Sequence, residues 1–147
     1  MKATVFLLTT ILISQLGQAH SLTEGSYSGN GLWHSVQSTG TYKTISVVKK
    51  NEIKTIYQLL DGSTKEWNFQ IKESTNGFFE ISSQGVQLGM GYCLEKAPVC
   101  HYQVSIGQMK LEETLVQEKN TLYKFGSKDE GQGPISWQES LTMDQAE

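Results

Sequence analysis

The sequence predicts an all-β fold, an antiparallel up-and-down meander of about eight to ten strands closed into a barrel. Three observations carry this. Beyond residue 25, short segments rich in Val, Ile, Thr, Tyr, Phe and Trp alternate with polar residues, and helical periodicity is missing. Turn chemistry recurs at nine places, about eleven or twelve residues apart, which bounds ten strands joined by single hairpins. Gly25, Gly29 and Gly31 punctuate the first strand, where a barrel needs sharp bends or close backbone approach. Closure is favoured over an open sheet because it removes exposed edges. The 147 residues, 37% hydrophobic and 18% charged with 14 Gly and only 2 Pro, suit a single core and are too few for two domains.

The N-terminus reads as an address. Lys2 supplies a positive charge, the run from Ala3 to Leu16 carries none, and Gly17 and Ala19 put small residues three and one before a cut. This is the pattern of a secretory signal peptide over residues 1–19, leaving 20–147 as one barrel domain. The apolar run, about fourteen residues, is short for a bilayer span, so no transmembrane segment is expected in the mature chain. Its destination is then the periplasm or the exterior. All 12 basic residues are Lys and the acids number 15, which argues against nucleic acid and against bidentate phosphate recognition. In an oxidising compartment Cys93 and Cys100, seven positions apart, are expected to form a disulfide.

The strands follow in order. The first runs from Gly25 past Trp33. In the segment 65–71, Trp67, Phe69 and Ile71 share one face and Glu66, Asn68 and Gln70 the other. The segment 86–94 repeats the pattern, which predicts Val86, Leu88, Met90, Tyr92 and Leu94 as its apolar, core-facing side. Turns are expected at Ser38-Thr39-Gly40, Lys50-Asn51, Asp61-Gly62, Asn76-Gly77, Gln84-Gly85, the Cys93 to Cys100 loop, Gly107-Gln108, Lys119-Asn120 and Asp129 to Gly133. The last two strands span 121–128 and 134–141.

Gly25-x-Tyr27-x-Gly29-x-Gly31, opening a chain of single hairpins, resembles the first-strand signature of the calycin superfamily, with Tyr27 standing where that signature has Trp. Its members include lipocalins, fatty-acid-binding proteins and nitrobindin-like barrels. The resemblance implies a calycin-like barrel and a small-molecule cavity. It does not carry over a haem site, since the last two strands contain no His. Nor does it carry over an arginine anchor for a fatty-acid carboxylate, since the chain has no Arg. A neutral or cationic ligand is therefore expected.

Candidate site residues are the aromatics Trp33, Trp67, Phe69, Tyr92 and Trp137 as the lining of an interior cavity, with Glu113 or Glu139 as polar anchor. Glu113 shares a face with Leu111 and Leu115, and Glu139 with Ile135, Trp137 and Leu141. A buried carboxylate costs several kcal/mol unless paired, hydrated or used. A bulge that reverses the face, or a Lys paired with Glu113 near a barrel end, stays open as an alternative. His20, His34 and His101 share no local spacing that fixes a metal site, and no cofactor is implied. With no nucleophile elbow, zinc cluster or phosphate loop, the expectation is an exported barrel that binds a small, largely apolar molecule and catalyses nothing. The alternative is a packed barrel that binds a protein partner, as an inhibitor or assembly factor would.

Overall fold

A computed structural model describes residues 22–94 and 96–145. The expected signal peptide, residues 1–19, and His20 lie outside the described residues. Within them the chain forms ten strands: β1 (Gly25–Ser35), β2 (Thr39–Lys49), β3 (Glu52–Gln58), β4 (Thr64–Glu73), β5 (Phe78–Ser83), β6 (Val86–Cys93), β7 (Val99–Ile106), β8 (Met109–Glu118), β9 (Thr121–Asp129) and β10 (Pro134–Met143). Each strand pairs antiparallel with the next, and β1 pairs with β10 to close the barrel. The turns fall where the sequence places them except the first, which lies at 36–38, so that Thr39 and Gly40 of the expected Ser38-Thr39-Gly40 turn already belong to β2. At Gln84-Gly85 both residues have positive φ, +50° and +79°, as a two-residue hairpin with right-twisted strands requires.

Alternation along each strand sorts side chains between interior and solvent. It is cleanest on β8, where Met109, Leu111, Glu113, Leu115 and Gln117 face inward between exposed or half-buried neighbours. On β4 it places Phe69 inside, with Trp67 and Ile71 half-buried beside it and Glu66, Asn68 and Gln70 exposed. The outward positions of successive strands are largely polar, among them Lys43, Lys54, Glu66, Lys72 and Glu112.

On β6 the expected orientation is reversed. Val86, Met90, Tyr92 and Leu94 are exposed, and of the apolar five only Leu88 packs against the core. Gly89, Gly91 and Cys93 take the inward side, because the space there is already occupied. A Cβ on Gly91 would lie 2.3 Å from the Phe79 ring, and one on Gly89 would lie 1.9 Å from the Gln103 carbonyl oxygen. The register between β5 and β6 also shifts at Ile81/Ser82. The polar-looking face of β6 is thus the one that lets the neighbouring side chains fill the barrel.

The two ends of the barrel differ. At the end where β1 begins and β10 ends, Tyr27, Leu115, Leu122 and Leu141 are fully buried. Burial contributes about 1.5–3 kcal/mol for each such leucine. Leu22 and Thr23 lie across this end. Thr23 N donates to Gln117 Oε1 at 2.6 Å, Gln117 Nε2 donates to Tyr27 Oη at 3.2 Å, and Tyr27 Oη donates to the Thr23 carbonyl at 2.7 Å. Beside them Cys93 and Cys100, direct partners across β6 and β7, form the expected disulfide. The opposite end, where β1–β2, β3–β4 and β9–β10 turn, carries the cavity.

Candidate functional site

The cavity, about 370 Å³, is walled by Trp33, Tyr42, Tyr57, Trp67 and Trp137 with Leu59, Leu111 and Ile135, and Lys65, Lys128 and Glu130 stand at its rim. Three of its five rings owe their position to glycines directly across a strand pair. Trp33 faces Gly40, Tyr42 faces Gly31, and Trp137 faces Gly126. A Cβ at Gly40, Gly31 or Gly126 would approach the facing ring to 2.6, 2.2 and 2.3 Å respectively. Each ring leans over the neighbouring backbone into the place a side chain would fill. Gly31 of the first-strand signature therefore serves the site as well as the bend.

Beneath the cavity lies a buried charged cluster. Lys124, fully buried on β9, places Nζ 3.3 Å from Glu113 Oε1 on β8 and 3.4 Å from Glu139 Oε2 on β10. It also donates to Thr55 Oγ1 at 3.1 Å and Ser46 Oγ at 3.3 Å, and sits 5.8 Å from the centre of the Tyr57 ring. Two of the cavity rings are tied to this layer. Tyr42 donates its hydroxyl to Glu139 Oε1 at 2.8 Å, and Trp137 donates Nε1–H to Glu113 Oε1 at 3.0 Å. Tyr102 donates to Glu113 Oε2.

The two carboxylates are unequally served. Glu113 accepts from Tyr102 and Trp137 and is ion-paired with the ammonium. Glu139 Oε2 has Lys124 at ion-pair distance but accepts no hydrogen bond, and Thr44 Oγ1 nearby on β2 is also buried without a partner. Burial pushes the Glu139 carboxyl above the ordinary range, against the pull of Lys124. Burial likewise opposes the charge on Lys124, but Glu113 and Glu139 outweigh it and hold the ammonium above the usual lysine range. The phenols of Tyr42, Tyr57 and Tyr102 are raised by burial, and for Tyr42 and Tyr102 by the carboxylate each one faces.

The sequence-predicted residues divide accordingly. Trp33, Trp67 and Trp137 meet in the cavity wall. Glu113 and Glu139 are buried inward as expected, but one layer below the wall, where they hold Trp137 and Tyr42. Phe69 is core and not lining: it packs between Trp67 and Tyr102, with ring centres 6.0 Å from each. Tyr92 is on the outer wall, 40% exposed between Phe78 and His101, because the inward side of β6 is taken by glycine. The lysine paired with Glu113 is Lys124, which lies fully buried mid-barrel and not at the barrel end that the sequence alternative implies. Its signal is the alternation Leu122, Lys124 against Tyr123, Phe125, in which the aromatic face competes for the interior and takes the outside. Two inward glutamates on strands flanking β9 call for a cation between them. Tyr42 and Tyr57 carry no signal in the sequence that sets them apart from other strand aromatics.

No family model matches the chain, and no curated protein matches it in sequence. In three dimensions it is similar to the S-type phycobiliprotein lyase CPES of Guillardia theta, at a TM-score of 0.63 and 9% identity, over 85% of this chain and 90% of that one. This likeness, with the closed ten-strand meander, supports a calycin-like fold. It also corrects the expectation that such a barrel catalyses nothing: a barrel of similar shape belongs to a protein named as a lyase, so the fold gives no ground for excluding catalysis.

Proposed function

We propose that this protein is an exported barrel that binds a small, largely apolar molecule between Trp33, Trp67, Trp137, Tyr42 and Tyr57. The observation that carries this reading is the cavity itself, about 370 Å³ with walls of indole and phenol rings and aliphatic side chains. That volume is within the usual span of small-molecule sites, roughly 300–1,000 Å³, and such sites combine apolar walls with few polar groups. The lining rings are preorganised, since Tyr42 and Trp137 are each hydrogen-bonded to a buried carboxylate. Glu113 and Glu139 act here as positioning residues behind the wall. The Cys93–Cys100 disulfide fits an oxidising destination and so supports export.

A second reading, a barrel working through a protein partner, is favoured by the exposed outer-wall side chains Phe78, Met90, Tyr92 and Phe125, exposed by 49, 54, 40 and 46%. The open cavity weighs against the fully packed form of that reading. The two are tested by titrating the mature protein with the neutral fluorophore N-phenyl-1-naphthylamine, following energy transfer from tryptophan. Saturable one-to-one binding, weakened at least tenfold by Trp137→Ala in a protein with unchanged circular dichroism, is expected. Absence of saturable binding refutes the cavity as a site for neutral apolar molecules.

A further inference from the structure

We infer that the cavity selects an organic cation of the ammonium class, held against its aromatic wall and favoured by the surplus carboxylate behind that wall; this rests on the cavity being a ligand site. Three observations converge on it. The wall holds five rings, Trp33, Tyr42, Tyr57, Trp67 and Trp137, and the faces of such rings carry negative charge density that attracts a desolvated cation. Two of these rings are further enriched. Tyr42 and Trp137 donate their polar hydrogens to Glu139 and Glu113 at 2.8 and 3.0 Å, and a donor bound to an anion is polarised so that its ring becomes more electron-rich. Finally, the charge beneath the wall does not balance. Two carboxyl groups, 2% and 3% exposed, face one ammonium, and Glu139 Oε2 accepts no hydrogen bond.

The interior therefore holds either a proton on a carboxyl or an uncompensated negative charge. A cation in the cavity offsets that deficit from across the Tyr42 and Trp137 side chains, whereas an anion would meet the same charge unfavourably. The charged and titratable groups facing the cluster are Tyr42 on β2, Tyr57 on β3, Tyr102 on β7, Glu113 on β8, Lys124 on β9 and Glu139 on β10. Lys124 is the one cation among them and is already shared by both carboxylates. The lysines at the rim do not reverse the balance: Lys128 Nζ is paired with Glu130 at 2.6 Å, and Lys65 is exposed, so water screens it.

The test uses two probes of the same shape, benzyltrimethylammonium and its neutral carbon isostere neopentylbenzene, titrated by calorimetry and tryptophan fluorescence at pH 7.5. The cation is expected to bind at least tenfold more tightly. Glu139→Gln, which keeps an acceptor for Tyr42 but removes the charge, is expected to weaken the cation several-fold more than it weakens the neutral probe. Equal or tighter binding of neopentylbenzene overturns the cation inference while leaving the cavity reading in place. Failure of both probes to bind up to millimolar concentration overturns the cavity reading as well. Equal losses for both probes in Glu139→Gln overturn the role given to the surplus charge. If that variant does not fold, the comparison of the two probes on the unmodified protein still decides the inference.

Discussion

Replacing Lys124 by Met should be among the most costly single changes in this barrel, and the cost should depend on pH. The ammonium is fully buried at 3.3 and 3.4 Å from the carboxylates of Glu113 and Glu139, which are themselves almost wholly buried. Methionine fills a similar apolar volume, so little of the loss comes from packing. Ser46 and Thr55 retain each other at 3.2 Å, so no hydroxyl is orphaned by the change. What remains is two buried carboxylates without their cation, and breaking a buried ion pair from one side costs about 3–5 kcal/mol. In urea this corresponds to a midpoint lowered by about 2 M with an unchanged slope. The sign of the pH effect follows from Glu139, whose carboxyl is already raised by burial and rises further without Lys124. A carboxyl raised in the folded state favours folding below its unfolded value, near 4.5, and loses that contribution as pH climbs through the folded value. The deficit of the variant should therefore be smallest near pH 4.5 and widen toward pH 7.5. Urea unfolding followed by tryptophan fluorescence at both pH values measures it. A deficit under about 1 kcal/mol at pH 7.5, or one that grows as pH falls, would refute the reasoning. Adding Glu113→Gln and Glu139→Gln should recover more than half of the loss, because an uncharged interior no longer needs the ammonium.

Alkaline pH should destabilise the native protein by the same linkage. Lys124, Tyr42, Tyr57 and Tyr102 have folded values raised above their ordinary ones, so their stabilisation is intact below about pH 10 and is lost as pH rises beyond it. Absorbance at 295 nm should show four of the six tyrosines, these three and the fully buried Tyr27, whose phenol burial also raises, ionising only together with loss of the β circular dichroism signal; reversible titration of all six in folded protein would count against it. Gly31→Ala should cost about 1–3 kcal/mol, since its Cβ would stand 2.2 Å from the Tyr42 ring, while Gly25→Ala, which meets the flexible Met143 side chain at 3.3 Å, should cost less. Thermal unfolding of the two variants decides this, with equal losses as the adverse result. Reduction of Cys93–Cys100, or its replacement by serines, should remove about 2.5 kcal/mol by releasing a short loop in the unfolded chain, measured by urea unfolding with and without reductant.

The alternation of β4, β8 and β10 and the placement of the turns were legible in the sequence because they are local. A period of two and a residue able to take positive φ, as at Gln84-Gly85, are decided by neighbours in the chain. The inward placement of Glu113 and Glu139 was legible for the same reason: each lies two positions from an apolar residue whose side was clear. Period two defines two faces without saying which is inside, however, and on β6 the apolar one lost. Phe79 and the β7 backbone already occupied the space opposite Gly91 and Gly89, a fact about strands β5 and β7 that β6 does not contain. Tyr92 left the site on that account. Lys124 entered it for the converse reason. An ammonium is disfavoured inside on its own, and becomes favourable only when the register sets it between two carboxylates from adjacent strands. The glycines opposite Trp33, Tyr42 and Trp137 likewise acquire their meaning across strand pairs. Local chemistry determined the strands, the turns and the cost of burying each side chain; closure of the barrel determined which of those costs were met together.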